Sequence, residues 1–415
     1  MRDDLLVFGT PKIEQEEIDE VVDTLRSGWL GTGPKTGRFE SAFAAYKEVP
    51  YAAALNSCSA GLHLSLLVLD LKPGDEVITT PMTFCATVNA IIHAGGTPVL
   101  ADVDPVTGNI DPRHIRQCIT ERTKALLPVH YAGRACEMDQ ICALAAEHKL
   151  RIVEDCAHAI ETEYRGRKAG TFGDIGAFSF YVTKNVATGE GGMVISRDQK
   201  MIARIRELAL HGMSRDAWKR FEDSDKIHYA ITEPGFKYNM MDIQAAIGIH
   251  QLARVEKNWL RRAEIWATYS RELADLPITL PAPVASNTRH AYHLFTILVA
   301  EAEAGIDRDE FIRQMKKRLV AASVHYRSIA EFEYYQRRYG WRPQRWRNAM
   351  NIGRRTVSLP LSPRMSDADV ESVIEATREI LLGVQAARLP LPTAAGFDAE
   401  ARIEQDDFAW MHHGD

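Results

Sequence analysis

A chain of 415 residues, 46% hydrophobic and 26% charged, has the composition of a soluble globular protein with room for two or three domains or one large two-lobed fold. Its formal net charge of −6, with acids and bases interspersed, argues against a nucleic-acid partner or an anionic membrane recognised through bulk charge. The six cysteines form no C-x-x-C pair and no Cys/His cluster of zinc spacing, so no metal site is expected and free thiols in a reducing cytoplasm are.

The N-terminal stretch "MRDDLLVFGTPKIEQEE" lacks the continuous apolar region of a signal peptide, and no run approaches the ~18 apolar residues of a spanning helix. From about residue 14 the pattern alternates. "EQEEIDEVVDTLRSG" reads as an amphipathic helix ending at Gly28, and "FESAFAAYKEV" as another. "YAAALNS" is a strand, "SAGLHLSLLVLDL" a helix, "DEVITTP" a strand, "ATVNAIIHAGG" a helix and "TPVLADVD" a strand. "KALLPVHYAG", "EMDQICALAAEHK" and "LRIVEDCA" continue as strand, helix, strand. This order predicts βαβ units and a mostly parallel sheet covered on both faces. "GAFSFYV" and "GGMVISRD" read as two more strands, and "MDIQAAIGIHQLARVEKNWLRRAEIWATYSRELAD" as one long helix leading into a second lobe. There "AYHLFTILVA" and "ASVHYRS" are predicted strands, and "RDEFIRQMKKRLV" and "DADVESVIEATREILLG" helices. The expected organisation is a large domain over 1–255, a smaller α+β domain over 256–385 and a loose extension over 386–415.

Four places carry chemistry. Lys184 sits in "FYVTKNVATGEGG", between an aromatic β-rich run and a glycine-containing loop. A lysine in such apolar company is desolvated, has a lowered pKa and can act as a Schiff-base nucleophile; the ordinary alternative is a solvated strand end. Asp155 closes the apolar strand in "VEDCAH", where ligands of open parallel sheets bind, and can hold a protonated ring nitrogen or cap a helix. His158 follows one turn later, able to bond a ring oxygen or to serve as a structural histidine. In "NSCSAGLHL", Ser57, Ser59, Ala60 and Gly61 stand where a helix begins, an anion site or a plain serine cap. Phe84 in "TPMTFCAT" can stack on a planar ring or pack in the core. The loop "GWLGTGPKT" over 28–36 only superficially suits a phosphate: Pro34 stands where the P-loop lysine would be.

A nucleophilic lysine, a ring-nitrogen acid, a phosphate cup and a stacking aromatic together point to pyridoxal phosphate (PLP). The motifs "SGWLGTGP", "NSCSAGLHL", "GDEVITTPMTFCATVNAI", "PVHYAG", "VEDCAHAIETEYRGRKAGTFGDIGAFSFYVTKNVATGEGGM" and "YNMMDIQAAIGIHQL" run in this order within about residues 8 to 385. On them the chain resembles the DegT/DnrJ/EryC1/StrS family of sugar aminotransferases. The resemblance implies an α/β, aspartate-aminotransferase-like fold of type I, with a large lobe on a mixed, mostly parallel sheet and a smaller α+β lobe. It implies that Lys184 holds the cofactor and shuttles the proton, and that Asp155 pairs with the pyridine nitrogen. His158, where many relatives carry Gln, contacts the ring hydroxyl, and Phe84 stacks on the ring. Ser59, Ala60 and Ser179 hold the phosphate, and Asn239 reaches the phosphate of the neighbouring subunit in a homodimer with shared active sites.

On the substrate side the resemblance points to Trp29, His293, His325, Tyr326 and Arg327. "AYHLFTIL" and "SVHYRSIAEFEYYQ" look most like the branch that aminates C4 of a UDP-4-keto-pentopyranose, although a surface salt bridge is the plain alternative for Arg327. The implied reaction uses L-glutamate as donor, releases 2-oxoglutarate, passes through pyridoxamine phosphate (PMP) and converts a nucleotide ketosugar to an aminosugar. Three alternatives share the fold. A keto-cyclitol aminotransferase would have the same cofactor residues. A sugar dehydratase would carry His in place of Lys184. A non-catalytic regulator would lack part of the constellation.

Overall fold

The computed structural model describes residues 3–213 and 230–388. Most of the expected extension lies outside the described residues. The first nine strands are β1 (Tyr51–Leu55), β2 (Glu76–Thr79), β3 (Thr97–Leu100), β4 (Thr123–Leu127), β5 (Arg151–Asp155), the two-residue strands β6 (Glu163–Tyr164) and β7 (Arg167–Lys168), β8 (Ile175–Ser179) and β9 (Gly192–Ser196). All but β6 and β7 form one seven-stranded sheet in the order β1-β9-β8-β5-β4-β2-β3. The pairs β8–β5, β5–β4, β4–β2 and β2–β3 are parallel, and β9 runs against both of its neighbours.

The period-two alternation of the strands supplies two cores at once. Ala53, Leu55, Val153, Ala177 and Val194 face one side with Leu62 and Leu66 of α3 (Cys58–Leu67). Ala52, Ala54, Phe178, Met193 and Ile195 face the other, against Phe39 and Phe43 of α2 (Pro34–Lys47). α1 (Gln15–Ser27) ends at Gly28, whose φ of 75° suits glycine. α4 (Cys85–His93), α5 (Pro112–Cys118) and α6 (Met138–His148) link the parallel strands. α7 (Gln199–Ala209) follows β9; its Ile202, Ile205, Leu208 and Ala209 carry the helical spacing that reveals it, although neither α5 nor α7 was among the expected elements.

The expected long helix is two. α8 (Asp242–Ala253) stops before Arg254, which sits at φ −101° and ψ 3°, and α9 (Val255–Glu272) sets off afresh. Arg254 is held there by Glu14 and Glu17 at the start of α1. Beyond α9 come β10 (Ile278–Thr279), β11 (Thr288–Arg289), β12 (Phe295–Val299), α10 (Glu301–Ala304), α11 (Arg308–Lys317), α12 (Glu333–Tyr339), α13 (Arg347–Arg355), β13 (Thr356–Leu359) and α14 (Asp367–Arg388). The antiparallel sheet β10-β12-β13 packs Phe295, Ile297 and Val357 against Trp266, Tyr269, Phe311 and Ile380. "ASVHYRS" is not a strand: only Ser323 bridges β13, at Ser358, and the segment then turns towards the large sheet.

The two lobes are joined more than once, outside the two larger sheets, for β11, β6 and β7 form a small sheet of their own. β11 pairs with β6, and Leu6 near the N-terminus bridges Val320. The loop at 28–36 is closed by the chain itself. Buried Asp242 accepts from the amides of Gly33 (2.8 Å), Lys35 (3.0 Å) and Thr36 (2.9 Å) and from the Thr36 hydroxyl (2.7 Å). A carboxylate of the chain thus fills the N-terminus of α2.

Candidate active site

The C-terminal ends of the parallel strands gather the candidate residues, as the topology of an open α/β sheet requires. Asp155 ends β5 and is 4% exposed. Its Oδ2 accepts from the Thr87 hydroxyl at 2.8 Å and its Oδ1 from the Ala157 amide at 3.0 Å. Burial pushes its carboxyl up, against these donors and the charge of Lys184. One residue earlier, Glu154 points to the other face. It accepts from the amides of Gly170, Phe172 and Gly173 and pairs with His130 at 3.0 Å. His130, Glu154 and Cys156 are the one His/Cys/acid grouping of metal-binding compactness among the described residues, and sequence spacing did not suggest it. Both oxygens of Glu154 are occupied by these hydrogen bonds, and so is His130, whose Nδ1 takes the Cys136 amide.

Lys184 lies in the connection from β8 to β9. Phe180, Asn185, Val186, Ala187 and Thr188 around it are buried, so the aromatic run anchors the loop in the core instead of forming a surface edge. Its backbone amide donates to Tyr181, and the loop closes where the Thr188 amide meets the carbonyl of Phe180. Desolvation lowers the Lys184 pKa to about 8, with Cys58 and Asp155 pulling the other way. Glycine at 192 is needed for a close approach: a Cβ there would lie 2.4 Å from the backbone of Ser57. This contact seats the start of β9 under the first turn of α3.

That turn is an open set of donors. Ser57 caps α3 by accepting from the Ala60 amide at 3.1 Å, which leaves the amides of Cys58 and Ser59 ahead of the first intrahelical acceptor. Ser59 is exposed and Ser179 buried at the end of β8. Phe84, at the start of α4, is 59% exposed, which core packing would not leave. Asn239 bridges Leu55 of β1, and its Nδ2 donates to the Thr32 hydroxyl at 2.7 Å; its Oδ1 is buried without a partner among the described residues. Trp29 is 45% exposed, its indole N–H donating to the Thr32 carbonyl.

A histidine and tyrosine group stands behind the lysine. Nδ1 of His158 accepts from the Ala132 amide at 3.2 Å. Burial keeps this ring neutral, so its proton is on Nε2, 3.0 Å from the Tyr326 hydroxyl. Tyr326 therefore accepts from His158 and keeps its own proton for another partner. The His293 ring lies 4.5 Å from that of His158, and Phe84 is 6.2 Å from Tyr326. His325 bonds the Ser358 hydroxyl through Nδ1 (2.8 Å), and burial lowers its pKa to about 3. The structure thus brings together Lys184, Asp155, His158, Phe84, His293, His325 and Tyr326. Arg327 stands apart: its side chain is exposed and pairs with Glu331 at 3.8 Å.

A family profile, that of the DegT/DnrJ/EryC1/StrS aminotransferase family, matches residues 11–378. The chain belongs to this family. It is 47% identical over 383 residues to the spore coat polysaccharide biosynthesis protein SpsC of Bacillus subtilis, covering 92% of this chain and 98% of that one. Among solved structures it is similar to Spr1654 of Streptococcus pneumoniae, a chain assigned to the sugar aminotransferases and solved in apo, PLP and PMP forms. The TM-score is 0.85 at 32% identity, covering 92% of this chain and 99% of that one. PseC of Helicobacter pylori, an aminotransferase involved in the biosynthesis of pseudoaminic acid, matches at a TM-score of 0.85 and 28% identity, covering 91% and 100%.

The chain is accordingly a PLP-dependent aminotransferase of fold type I that acts on sugars and alternates between PLP and PMP. The residues present fit that cofactor: a desolvated amine, a buried carboxylate, an exposed aromatic face, and free donors at α3 beside the close approach at Gly192. Sequence reasoning missed Thr87, Cys58, Asn185 and Glu161. Thr87 closes the stretch "TPMTFCAT" in which only Phe84 was singled out, and its hydroxyl also meets that of Thr83 at 2.7 Å. Glu161 carried no signal of its own, standing among other polar and charged residues in "HAIETEYR".

Proposed function

We propose that the enzyme moves the amino group of L-glutamate to the 4-keto carbon of a nucleotide-linked sugar, of the pentopyranose type carried on UDP. The observation that carries the site assignment is the convergence of Lys184, Asp155, His158 and Phe84 at one end of the sheet. The sugar-aminotransferase relatives support the substrate class.

In this reading Lys184 holds the cofactor covalently and, once displaced, carries a proton from the α-carbon of glutamate. Its lowered pKa leaves a substantial neutral fraction near pH 8, as both tasks need. The cofactor supplies an electron sink for the carbon–hydrogen bond that breaks. Asp155, oriented by Thr87 and Ala157, keeps the ring nitrogen protonated. Phe84 covers one face of the ring, and the Tyr326 hydroxyl, accepting from His158, donates to an oxygen of the bound ligand. The amides of Cys58 and Ser59 with Ser179 hold the phosphate, and Asn239 of one subunit completes the phosphate site of the other in a homodimer. Arg327, paired only loosely with Glu331, meets the nucleotide phosphates.

Incubation with glutamate and a panel of ketosugar nucleotides, followed by mass and NMR identification of products, tests the reading. A UDP-linked 4-aminosugar is the expected product. Amination of a keto-cyclitol alone, or no turnover of any 4-ketosugar, would overturn it.

A further inference from the structure

Asn185 follows Lys184 directly and is buried. Its amide has one orientation. Nδ2 lies 2.9 Å from both carboxylate oxygens of Glu161 and 2.8 Å from the carbonyl of Ala291, which can only accept. Oδ1 therefore faces Nδ1 of His293, 3.0 Å away, and that nitrogen must carry a proton. Burial holds the His293 ring neutral, with the charges of Lys184 and Arg262 acting in the same direction. Its Nε2 is then a bare lone pair, and it has no hydrogen-bond partner among the described residues.

Glu161 and the Ala291 carbonyl together fix the amide. The Glu161 side chain is buried, and burial pushes its carboxyl up to about 7 against the pull of Arg262, Asn185 and Arg289. Arg262 is itself buried and donates to the carbonyl of Leu361 at 2.8 Å. Lys47, whose Nζ donates to the neighbouring carbonyl of Ile160, adds a second buried cation nearby, and Tyr46 also lies close enough to feel the carboxylate. Without the carboxylate only the Ala291 carbonyl opposes a turned Asn185 that donates to His293. The ring would then carry its proton on Nε2 and face the site as a donor.

We propose that Glu161 and Asn185 are positioning residues that set the tautomer of His293, so that the site offers an acceptor, Nε2, to a hydroxyl of the sugar substrate. The identity of the donor rests on the sugar-aminotransferase reading above; the tautomer does not. Neither residue touches the substrate in this account. They act through His293, which makes the site selective for ligands with a hydroxyl in reach of that nitrogen.

The test uses the full-length enzyme labelled with 15N-histidine, with the His293 signal assigned by its loss in His293→Gln. Nitrogen NMR of the wild type is expected to show Nδ1 protonated and Nε2 bare. Glu161→Gln keeps the volume but places an amide nitrogen beside Asn185, and should populate the Nε2-protonated ring. It should also raise KM for the ketosugar nucleotide about tenfold, the worth of one hydrogen bond, while kcat falls less. An Nε2-protonated His293 in the wild type would overturn the proposal, as would an unchanged tautomer in Glu161→Gln. If Glu161→Gln does not fold, the wild-type spectrum alone decides. If no ketosugar is turned over at all, the substrate reading fails while the tautomer result still stands or falls by itself.

Discussion

Lys184 is a strong base made weaker by its surroundings, and that has a measurable consequence. Desolvation by the buried loop lowers its pKa to about 8, and the negative charge of Asp155 opposes this. Reductive trapping of a small aldehyde on the cofactor-free enzyme should therefore rise with a midpoint near pH 8, and peptide mapping should place the label on Lys184. A midpoint above pH 10 would mean a solvated amine. Asp155→Asn removes the charge assigned to the ring nitrogen but can keep the bonds from Thr87 or Ala157. A loss of about a thousandfold in kcat, roughly 4 kcal/mol, is expected with the melting temperature little changed. Turnover near normal would take Asp155 out of the site. At this scale the sequence told much about Lys184 and Asp155, because a lysine after an aromatic run and an acid closing an apolar strand are visible in one dimension. It told nothing about Glu161 or Thr87, whose importance comes only from what the fold places across from them.

β5 shows how one strand serves two purposes. Asp155 faces the site, while Glu154 faces inward and ties the 170–173 loop and His130 to the sheet. Burial pushes the Glu154 carboxyl up, but His130 and the backbone donors outweigh it and its pKa falls below the ordinary 4.5. A carboxylate with a depressed folded pKa stabilises the fold above its unfolded value, and that stabilisation is lost as pH falls through the lower folded value. Glu154→Ala should cost roughly 3–5 kcal/mol at pH 7 in urea unfolding, because His130 and three amides lose their acceptor. The gap from wild type should narrow below about pH 4.5, where the carboxyl of the unfolded wild-type chain begins to take up its proton while the folded one still resists. A pH-independent gap would reject the charged role. The parallel strands and their helices were legible because burial on both faces leaves continuous apolar runs. The break at Arg254 was not: nothing local interrupts the helical spacing, and the turn is held by Glu14 and Glu17 more than 230 residues away in the sequence. The same holds for "ASVHYRS", whose alternation promises a strand that the partner β13 meets at a single bridge.

Across the whole molecule, several features face outward beside the site. Trp29, Leu30, Phe84, Tyr181 and Met241 are exposed, and the Asn239 Oδ1 lacks a partner among the described residues. If the proposed homodimer covers them, sedimentation at assay concentrations should give a dimer, and a fully active monomer would contradict shared sites. The stitching of the two lobes bears on how the protein comes apart. The amide of Leu6 donates to the carbonyl of Leu319 at 2.8 Å, and the Ala321 amide donates back to Leu6 at 3.0 Å. The Ser362 hydroxyl holds the carbonyl of Thr10, and β11 borrows an edge from the large lobe. A cut in the chain near 255 would thus not be a cut between two stability units, since each half would keep backbone groups whose partners lie in the other. Scanning calorimetry should record one cooperative transition, and the two halves, made separately, should gain protection from hydrogen exchange only on being mixed.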